Sequence, residues 1–301
     1  MRGSGMAKQL IPGPAGRMAI KCLVRLQPRH ERWLLRAGRH FAPSSPIQFR
    51  TTAGFAMELH LEDKIERRIY YTGMYEHVLD TILRRALPRS NAFVDIGANC
   101  GYVSLLAASL LMERGVVYAF EPFPSTFRRL TRNLELNPSL NIVPHFVALS
   151  NAPGTCKLHC GAGTHGATGM VPVSSGVEAV EVRCETLDHL SCELDLRGAF
   201  VKIDVEGAEL LVLNGMTSVL ASGCCRNILI EMHPRQIREL GGRPEEIPTL
   251  VERFGYRLLT SSGESLVPFA PGTFFASDEG HRFIFATLDA DWNGFKIPSG
   301  F

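Results

Sequence analysis

Short apolar runs alternate with segments of helical periodicity over most of the chain. The apolar runs carry no polar alternation, which is typical of parallel strands buried on both faces. Strands that alternate with helices indicate βαβ units and a doubly wound α/β sheet. The predicted strands are Phe93–Ile96, Val116–Phe120, Ile142–Leu149, Phe200–Ile203, Ile228–Ile230, Tyr256–Thr260 and Arg282–Leu288. The predicted helices between them are Tyr102–Glu113, Ser125–Leu136 and Ala208–Leu220.

Two other parts of the chain have patterns of their own. Apolar residues alternate over 54–61, which predicts a strand, and Tyr75–Ala86 follows helical spacing up to Pro88. Residues 151–198 contain two alternating segments and interrupt the strand–helix rhythm, which predicts an antiparallel insertion. A long loop, 262–281, is expected between the last two strands.

The composition is that of an ordinary globular protein and its charge is unevenly distributed. The chain has 301 residues, of which 45% are hydrophobic and 21% charged, so disordered, collagen-like and coiled-coil proteins are excluded. No stretch approaches the ~18 apolar residues that cross a bilayer, so no transmembrane segment is expected. The net charge of +2 conceals a basic segment, because residues 1–50 hold ten Lys and Arg against one acidic residue. We therefore expect a basic N-terminal extension, partly disordered or helical, ahead of one domain over 51–301.

The eight cysteines are too few for a disulfide-stabilised protein of this size. No C-x-x-C pair is present, and the His and Cys residues of 156–165 match no common zinc spacing. Reduced thiols and a cytoplasmic location are therefore expected.

The segment Val94–Tyr102 places a glycine-containing turn between a strand and a helix. Gly97 and Gly101 can adopt backbone angles that are closed to other residues, and the helix start presents free N–H groups to a ligand. The dinucleotide pattern G-x-G-x-x-G fails, because Asn99 and Tyr102 stand where its second and third glycines belong. The remaining pattern, D-x-G-x-N-x-G, is similar to the cofactor loop of methyltransferases.

Acidic side chains follow the ends of three further predicted strands. Glu121 stands 24 residues after Gly97, where a carboxylate accepts hydrogen bonds from the two ribose hydroxyls of an adenosine. Asp204 ends a strand at the expected switch point of the sheet, where open α/β sheets bind ligands. Glu231 and His233 end the following strand and, two residues apart on an extended chain, face the same side.

Five motifs in order give the chain its resemblance to a known family. They are FVDIGANCGYVSLLAA, VYAFEPFP, VALSN, VKIDVEGAELLVLNG and ILIEMHP, and the resemblance covers roughly residues 70–235. With these motifs the chain resembles the FkbM-type S-adenosylmethionine-dependent methyltransferases, a group of class I enzymes. The resemblance implies a Rossmann-like, mostly parallel sheet of seven strands with an antiparallel last pair. It also implies methyl transfer from S-adenosyl-L-methionine, usually to a hydroxyl group of a sugar or natural product.

The resemblance assigns the cofactor site residue by residue. The cofactor loop falls on Asp95, Gly97, Asn99 and Gly101, with Asp95 expected to bind the amino group of the methionine moiety. The ribose carboxylate falls on Glu121, and the backbone around Ala148, within VALSN, is expected against the adenine.

The acceptor site is less specified than the cofactor site. Asp204 and His233 are the favoured proton acceptors, with Glu231 beside them, while Glu206 is either a further base or a cap for a helix beginning at Gly207. No metal ligand set is assigned, although Asp204, Glu231 and His233 form an alternative site for one Mg²⁺. The expected substrate is a hydroxylated or glycosylated small molecule. The weaker alternatives are a nucleic-acid or protein substrate docked by the basic extension, and a cofactor-binding module without turnover.

Overall fold

The computed structural model describes residues 45–111, 115–160, 168–170, 179–262, 265–276, 282–292 and 295–296. Residues 1–44 of the expected basic N-terminal extension lie outside these described residues. The described chain divides into two compact units, of which the first ends at His77 and the second begins at Val78. The boundary that we expected at residue 50 stays a prediction.

The first unit contains a hairpin and a helix. β1 (Ile47–Arg50) pairs antiparallel with β2 (Ala56–Leu59), which confirms the strand predicted over 54–61. α1 (Lys64–Thr72) was not predicted. Its local signals are Asp63, whose carboxylate caps two N–H groups of the first turn, and Gly73, which ends it at φ 82°.

The second unit is built on an α/β sheet. In chain order its strands are β3 (Ala92–Ile96), β4 (Val116–Phe120), β5 (Ile142–His145), β6 (Ala148–Leu149), β7 (Gly154–Cys160), β8 (Thr168–Gly169), β9 (Ala179–Glu185), β10 (Ala199–Ile203), β11 (Cys225–Met232), β12 (Arg257–Ser262), β13 (Ser265–Pro268) and β14 (Arg282–Thr287).

The central sheet has eight strands in the order β13-β12-β14-β11-β10-β3-β4-β5. The five strands from β11 to β5 are parallel, and β14, β12 and β13 continue the sheet with antiparallel pairings. The doubly wound α/β prediction is confirmed, but the predicted count of seven strands is wrong. The eighth strand, β13, falls in the segment 262–281 that was expected to be a loop. β13 pairs antiparallel with β12, and Ser265 lies opposite Ser262.

The predicted strand Ile142–Leu149 is two strands in different sheets. β5 forms the edge of the central sheet, and its Pro144 is compatible with an edge position because the residue lacks an N–H donor. β6 pairs instead with β9, which carries Val147 and Leu149 into the main hydrophobic core. β7 and β9 pair antiparallel, as predicted for the insertion over 151–198.

The helices of the chain after α1 lie between these strands. They are α2 (His77–Ala86), α3 (Tyr102–Leu110), α4 (Pro124–Glu135), α5 (Leu187–Leu190), α6 (Glu209–Asn214), α7 (Thr217–Ser222), α8 (Pro234–Glu239), α9 (Glu246–Glu252) and α10 (Pro271–Phe274). The single helix predicted over Ala208–Leu220 is therefore interrupted at Gly215. A Cβ atom at Gly215 would lie 1.9 Å from the carbonyl oxygen of Ser150, so only glycine fits at this contact with the insertion.

The core of the second unit lies on both faces of the central strands. The ring of Phe200 lies 5.6 Å from that of Phe93 and 6.1 Å from that of Phe285, and all three side chains are fully buried. Among the described residues, no helix is both long and apolar enough to cross a membrane.

Candidate active site

A cavity opens at the carboxyl ends of the parallel strands. One wall is formed by the turn after β3 and by the ends of β4 and β10, where Gly97, Asn99, Glu121 and Asp204 lie. β6 contributes Ala148 to the lining, and the insertion contributes Cys156, Leu158, Met170 and Cys184. The position agrees with the general location of ligand sites in open α/β sheets.

The turn Gly97–Gly101, here called the glycine turn, depends on positive backbone angles. Gly97 has φ 83° and Gly101 has φ 90°, and Asn99 between them has φ 50°. A Cβ atom on Gly97 would lie 1.8 Å from the carbonyl oxygen of Asp204, so the turn and the end of β10 touch through backbone. Gly101 precedes α3 and, unlike Gly97 and Asn99, is not among the residues that line the cavity.

Glu121 joins the glycine turn to the end of β4. Its Oε2 accepts the backbone N–H of Asn99 at 2.9 Å, and its Oε1 accepts the N–H of Phe123 at 2.9 Å. Burial raises the pKa of Glu121 to about 7, although these two hydrogen bonds oppose the shift. Glu121 lines the cavity, and each carboxylate oxygen keeps a second lone pair for a ligand hydroxyl.

Asp95 lies beneath the glycine turn and is fully buried. It stands directly opposite Lys202 in the pairing of β3 with β10. Its Oδ2 accepts the hydroxyl of Ser104 at 2.6 Å, and its Oδ1 lies 3.2 Å from the Nζ of Lys202. Burial raises the pKa of Asp95, while the positive charge of Lys202 opposes the shift. Asp95 is not among the residues that line the cavity.

Lys202 connects three parts of the site. Its Nζ donates to the carbonyl oxygen of Gly97 at 3.2 Å and lies 3.3 Å from Oδ2 of Asp204, as well as contacting Asp95. Burial alone would lower the pKa of Lys202, but the charges of Asp95, Asp204 and Glu231 raise it above its ordinary value. The lysine therefore stays charged and holds the glycine turn against the end of β10.

A second group of polar side chains lies at the ends of β10 and β11. We call Asp204, Glu206, Glu209 and His233 the acid–imidazole cluster. The Nδ1 of His233 lies 2.7 Å from Oε1 of Glu209, and its Nε2 lies 3.5 Å from Oε2 of Glu206. Asp204, Glu206 and His233 each offer one ligand atom, and these three atoms lie within 4.8 Å of one another.

The geometry of the cluster excludes one role considered for Glu206 and shows which predicted residues line the cavity. Glu206 does not cap a helix at Gly207, because Glu209 accepts the N–H of Gly207 and α6 begins only at Glu209. Asp204 and Glu206 line the cavity, whereas His233 and Glu231 are not among its lining residues. Glu231 lies close enough for its charge to affect the pKa values of Lys202 and Glu206.

Excess negative charge sets the protonation of the cluster. Burial raises the pKa of Glu206 to about 7, and the carboxylates around it add to the shift while His233 opposes it. Burial alone would lower the pKa of His233, but the hydrogen bond and charge of Glu209, together with Asp204 and Glu206, raise it to about 10. At neutral pH the charge on His233 therefore offsets part of the negative charge of the carboxylates around it.

Sequence reasoning assigned no role to three residues of this region. Lys202 is the only charged residue inside the apolar run of β10, and a lysine in a buried strand indicates a buried partner. Glu209 is fully buried behind His233. Thr126 lines the cavity, and its buried Oγ1 has no hydrogen-bond partner among the described residues. Nothing in the local sequence marks Thr126, since only the fold brings α4 to the cavity.

The sequence pattern of the Methyltransferase FkbM domain matches residues 95–258, more than half of the chain. The chain belongs to the FkbM methyltransferase family. S-adenosylmethionine is the methyl donor in this family, so the chain is a methyltransferase that uses it. The match includes the glycine turn, Glu121 and the whole acid–imidazole cluster.

Similar proteins include other methyltransferases. Hexuronic acid methyltransferase AglP of Haloferax volcanii is 33% identical over 158 residues, which cover 48% of this chain and 59% of that protein. Methyltransferase sdnD of Sordaria araneosa is 28% identical over 243 residues, covering 70% of this chain and 88% of that protein. Among solved structures, an S-adenosylmethionine-dependent O-methyltransferase of Thermotoga maritima has a TM-score of 0.40 and 13% identity, with 80% of this chain and 77% of that chain covered.

Proposed function

We propose that this FkbM methyltransferase transfers the methyl group to a hydroxyl oxygen of a sugar or of a related hydroxylated small molecule. The observation that carries the proposal is the position of Asp204 and Glu206, which line the same cavity as the glycine turn and Glu121. An alcohol needs its proton removed to become a good nucleophile, and these carboxylates stand where an acceptor can reach them. The similarity to a hexuronic acid methyltransferase supports a sugar acceptor.

The cofactor is assigned to the cavity by its chemistry. The ribose hydroxyls donate to Glu121, and the adenine lies between Ala148 and the apolar side chains of the insertion, such as Leu158. The methionine end lies along the glycine turn at Gly97 and Asn99. In this arrangement Asp95 acts through Lys202, which holds the turn in place, and Gly101 acts by beginning α3.

The reaction is an in-line displacement at the methyl carbon. The acceptor oxygen forms the new C–O bond as the C–S bond breaks, and the electron pair of that bond stays on sulfur. The hydroxyl proton passes to a carboxylate of Asp204 or Glu206, which yields a methyl ether and S-adenosylhomocysteine. His233 carries its proton at neutral pH because its pKa is raised to about 10, so it orients and stabilises the negative groups. Glu231 adds negative charge from behind the cluster.

Two measurements on the full chain test the proposal. Calorimetry with S-adenosylhomocysteine should show one saturable site, which Glu121→Gln weakens and the exposed Lys157→Met leaves unchanged. A panel of uronic acids, neutral hexoses, amines and RNA, assayed with methyl-labelled donor, should give labelled product only from hydroxylated small molecules. Transfer confined to amines or RNA would refute the proposed acceptor class, and failure to bind S-adenosylhomocysteine would refute the assigned cofactor site. A cytoplasmic location stays a prediction, supported by the free thiols of the described cysteines.

A further inference from the structure

We propose that the acid–imidazole cluster is a binding site for one divalent metal cation, held by Asp204, Glu206 and His233. The three ligand atoms, two carboxylate oxygens and one imidazole nitrogen, already lie within 4.8 Å of one another. Metal–oxygen and metal–nitrogen bonds of about 2.0–2.2 Å place ligand atoms of one ion roughly 3–4 Å apart, so small side-chain movements suffice. The ligand set considered from the sequence was Asp204, Glu231 and His233, and in the site proposed here Glu206 replaces Glu231.

The orientation of His233 provides separate support. Its Nδ1 is engaged by Oε1 of Glu209 at 2.7 Å, which leaves Nε2 facing Glu206. A metal ion bound at Nε2 displaces the proton that this nitrogen carries in the metal-free protein, so binding releases one proton to solvent. A histidine that binds a metal through one nitrogen almost always gives its other nitrogen to a carboxylate or carbonyl oxygen, which fixes the ring. Glu209 is suited to this role because its side chain is fully buried and its Oε2 has no hydrogen-bond partner among the described residues.

The local charge balance also favours a cation. Lys202 is the one lysine in contact with this region among the described residues, and two of its contacts are with Asp95 and Asp204. Glu206, Glu209 and Glu231 add three further carboxylates. A pocket with this excess of negative charge gains Coulombic energy from a divalent ion, and partial burial keeps water from screening it.

The donor set indicates which cation to test. Carboxylate oxygens suit Mg²⁺ and Mn²⁺, while an imidazole nitrogen suits first-row transition metals. Mn²⁺ satisfies both preferences, so it is the probe of choice. Three protein ligands leave coordination positions open for two neighbouring oxygens of a substrate, such as a vicinal diol or a hydroxyl beside a carboxylate.

The role of the ion in catalysis rests on the proposed function. Bound to the cation, the acceptor hydroxyl has a lowered pKa and releases its proton to water instead of to a carboxylate. The oxygen then forms the C–O bond as the C–S bond breaks, with the electron pair left on sulfur as before. The cation therefore aligns the acceptor and raises the fraction of alkoxide.

Binding of Mn²⁺ to the full chain, stripped with EDTA and free of donor, tests the site directly. Electron paramagnetic resonance of free Mn²⁺ should reveal one saturable site, and pulsed measurements should show coupling to one imidazole nitrogen. Glu206→Gln and His233→Gln should each weaken binding at least tenfold, and His233→Gln should also abolish the nitrogen coupling. Glu209→Gln should weaken binding by roughly 10- to 100-fold while the coupling remains. Glu252→Gln, on the exposed face of α9, is the matched control and should bind Mn²⁺ as the unmodified chain does.

The outcomes separate this inference from the proposed function. Absence of a saturable Mn²⁺ site overturns the inference, as does a site that survives both Glu206→Gln and His233→Gln. Circular dichroism shows whether each variant is folded. If His233→Gln does not fold, Glu206→Gln still tests the inference. The Glu206 side chain is 29% exposed, so its replacement should leave the fold intact. Binding of S-adenosylhomocysteine without Mn²⁺ binding would retain the methyltransferase site and reject only the metal.

Discussion

Replacing Lys202 by methionine should strongly destabilise the protein. The lysine is 5% exposed and Asp95 is fully buried, and Asp95 directly faces it across two paired strands. Methionine fills nearly the same volume but leaves the Asp95 carboxylate with only the hydroxyl of Ser104 as a polar side-chain partner. The change therefore removes the compensating charge without creating a large cavity.

The expected loss is about 3–5 kcal/mol in the free energy of unfolding at pH 8, which is typical when one partner of a buried ion pair is removed. For a unit of this size, that corresponds to a fall in melting temperature of about 6–20 °C. Without Lys202, the folded-state pKa of Asp95 rises further above its unfolded value. The folded variant therefore binds a proton more tightly, so its deficit is smallest at low pH and grows as pH rises through that folded pKa.

Urea unfolding followed by circular dichroism at pH 5 and pH 8 measures both effects. Lys157→Met is the control, since Lys157 is exposed on β7 and its replacement should change the free energy by less than about 0.5 kcal/mol. The double variant Asp95→Asn, Lys202→Met should lose less than the sum of the single losses, by about 1–3 kcal/mol. A loss below about 1 kcal/mol for Lys202→Met, or the same loss at both pH values, would refute the assignment of a charged buried pair.

Three further variants test the cavity by calorimetry with S-adenosylhomocysteine. S-adenosylhomocysteine should bind more tightly at pH 8 than at pH 6, because Glu121, with its pKa of about 7, ionises in this range and accepts the ribose hydroxyls. Glu121→Gln should reduce this pH dependence, and an unchanged pH profile in that variant would contradict the role of Glu121 as the ribose acceptor. Gly97→Ala should abolish binding, because its Cβ would lie 1.8 Å from the carbonyl oxygen of Asp204, and wild-type affinity would show that the turn can move. Thr126→Val should weaken binding by about 3- to 10-fold, roughly the net value of one hydrogen bond, without lowering the melting temperature of the free protein; equal affinity would mean that the ligand leaves this hydroxyl unbound.

The parallel strands were predictable because a strand that is buried on both faces appears in the sequence as a continuous apolar run. Glu121 was placed at the end of its strand for the same reason, since β4 ends where its apolar run ends. The interruption at Gly215 was not predictable, because the helical pattern continues through it and the cause is a carbonyl oxygen from Ser150, distant in sequence.

Side-chain partnerships depend on register, which the sequence pattern does not reveal. Asp95 and Lys202 are 107 residues apart and meet only because β3 and β10 pair with those two residues opposite each other. The interpretation of Asp95 as a direct ligand of the methionine moiety therefore could not anticipate its burial. In the same way, Glu206 and Glu209 are both acidic residues after one strand, and the sequence does not show that Glu206 lines the cavity while Glu209 is fully buried against His233.

The contact between Gly97 and the carbonyl of Asp204 has a consequence for how acceptor preference can change. Because this contact leaves no space for even one methyl group, the glycine turn and the end of β10 cannot shift independently. We therefore expect changes in which molecule is methylated to arise from other segments that line the cavity, such as the insertion. An engineer seeking a new acceptor should randomise Met170, which lines the cavity and follows Gly169, whose Cβ would lie 3.0 Å from the carbonyl oxygen of Glu206, and leave Leu158 and the two strand ends untouched.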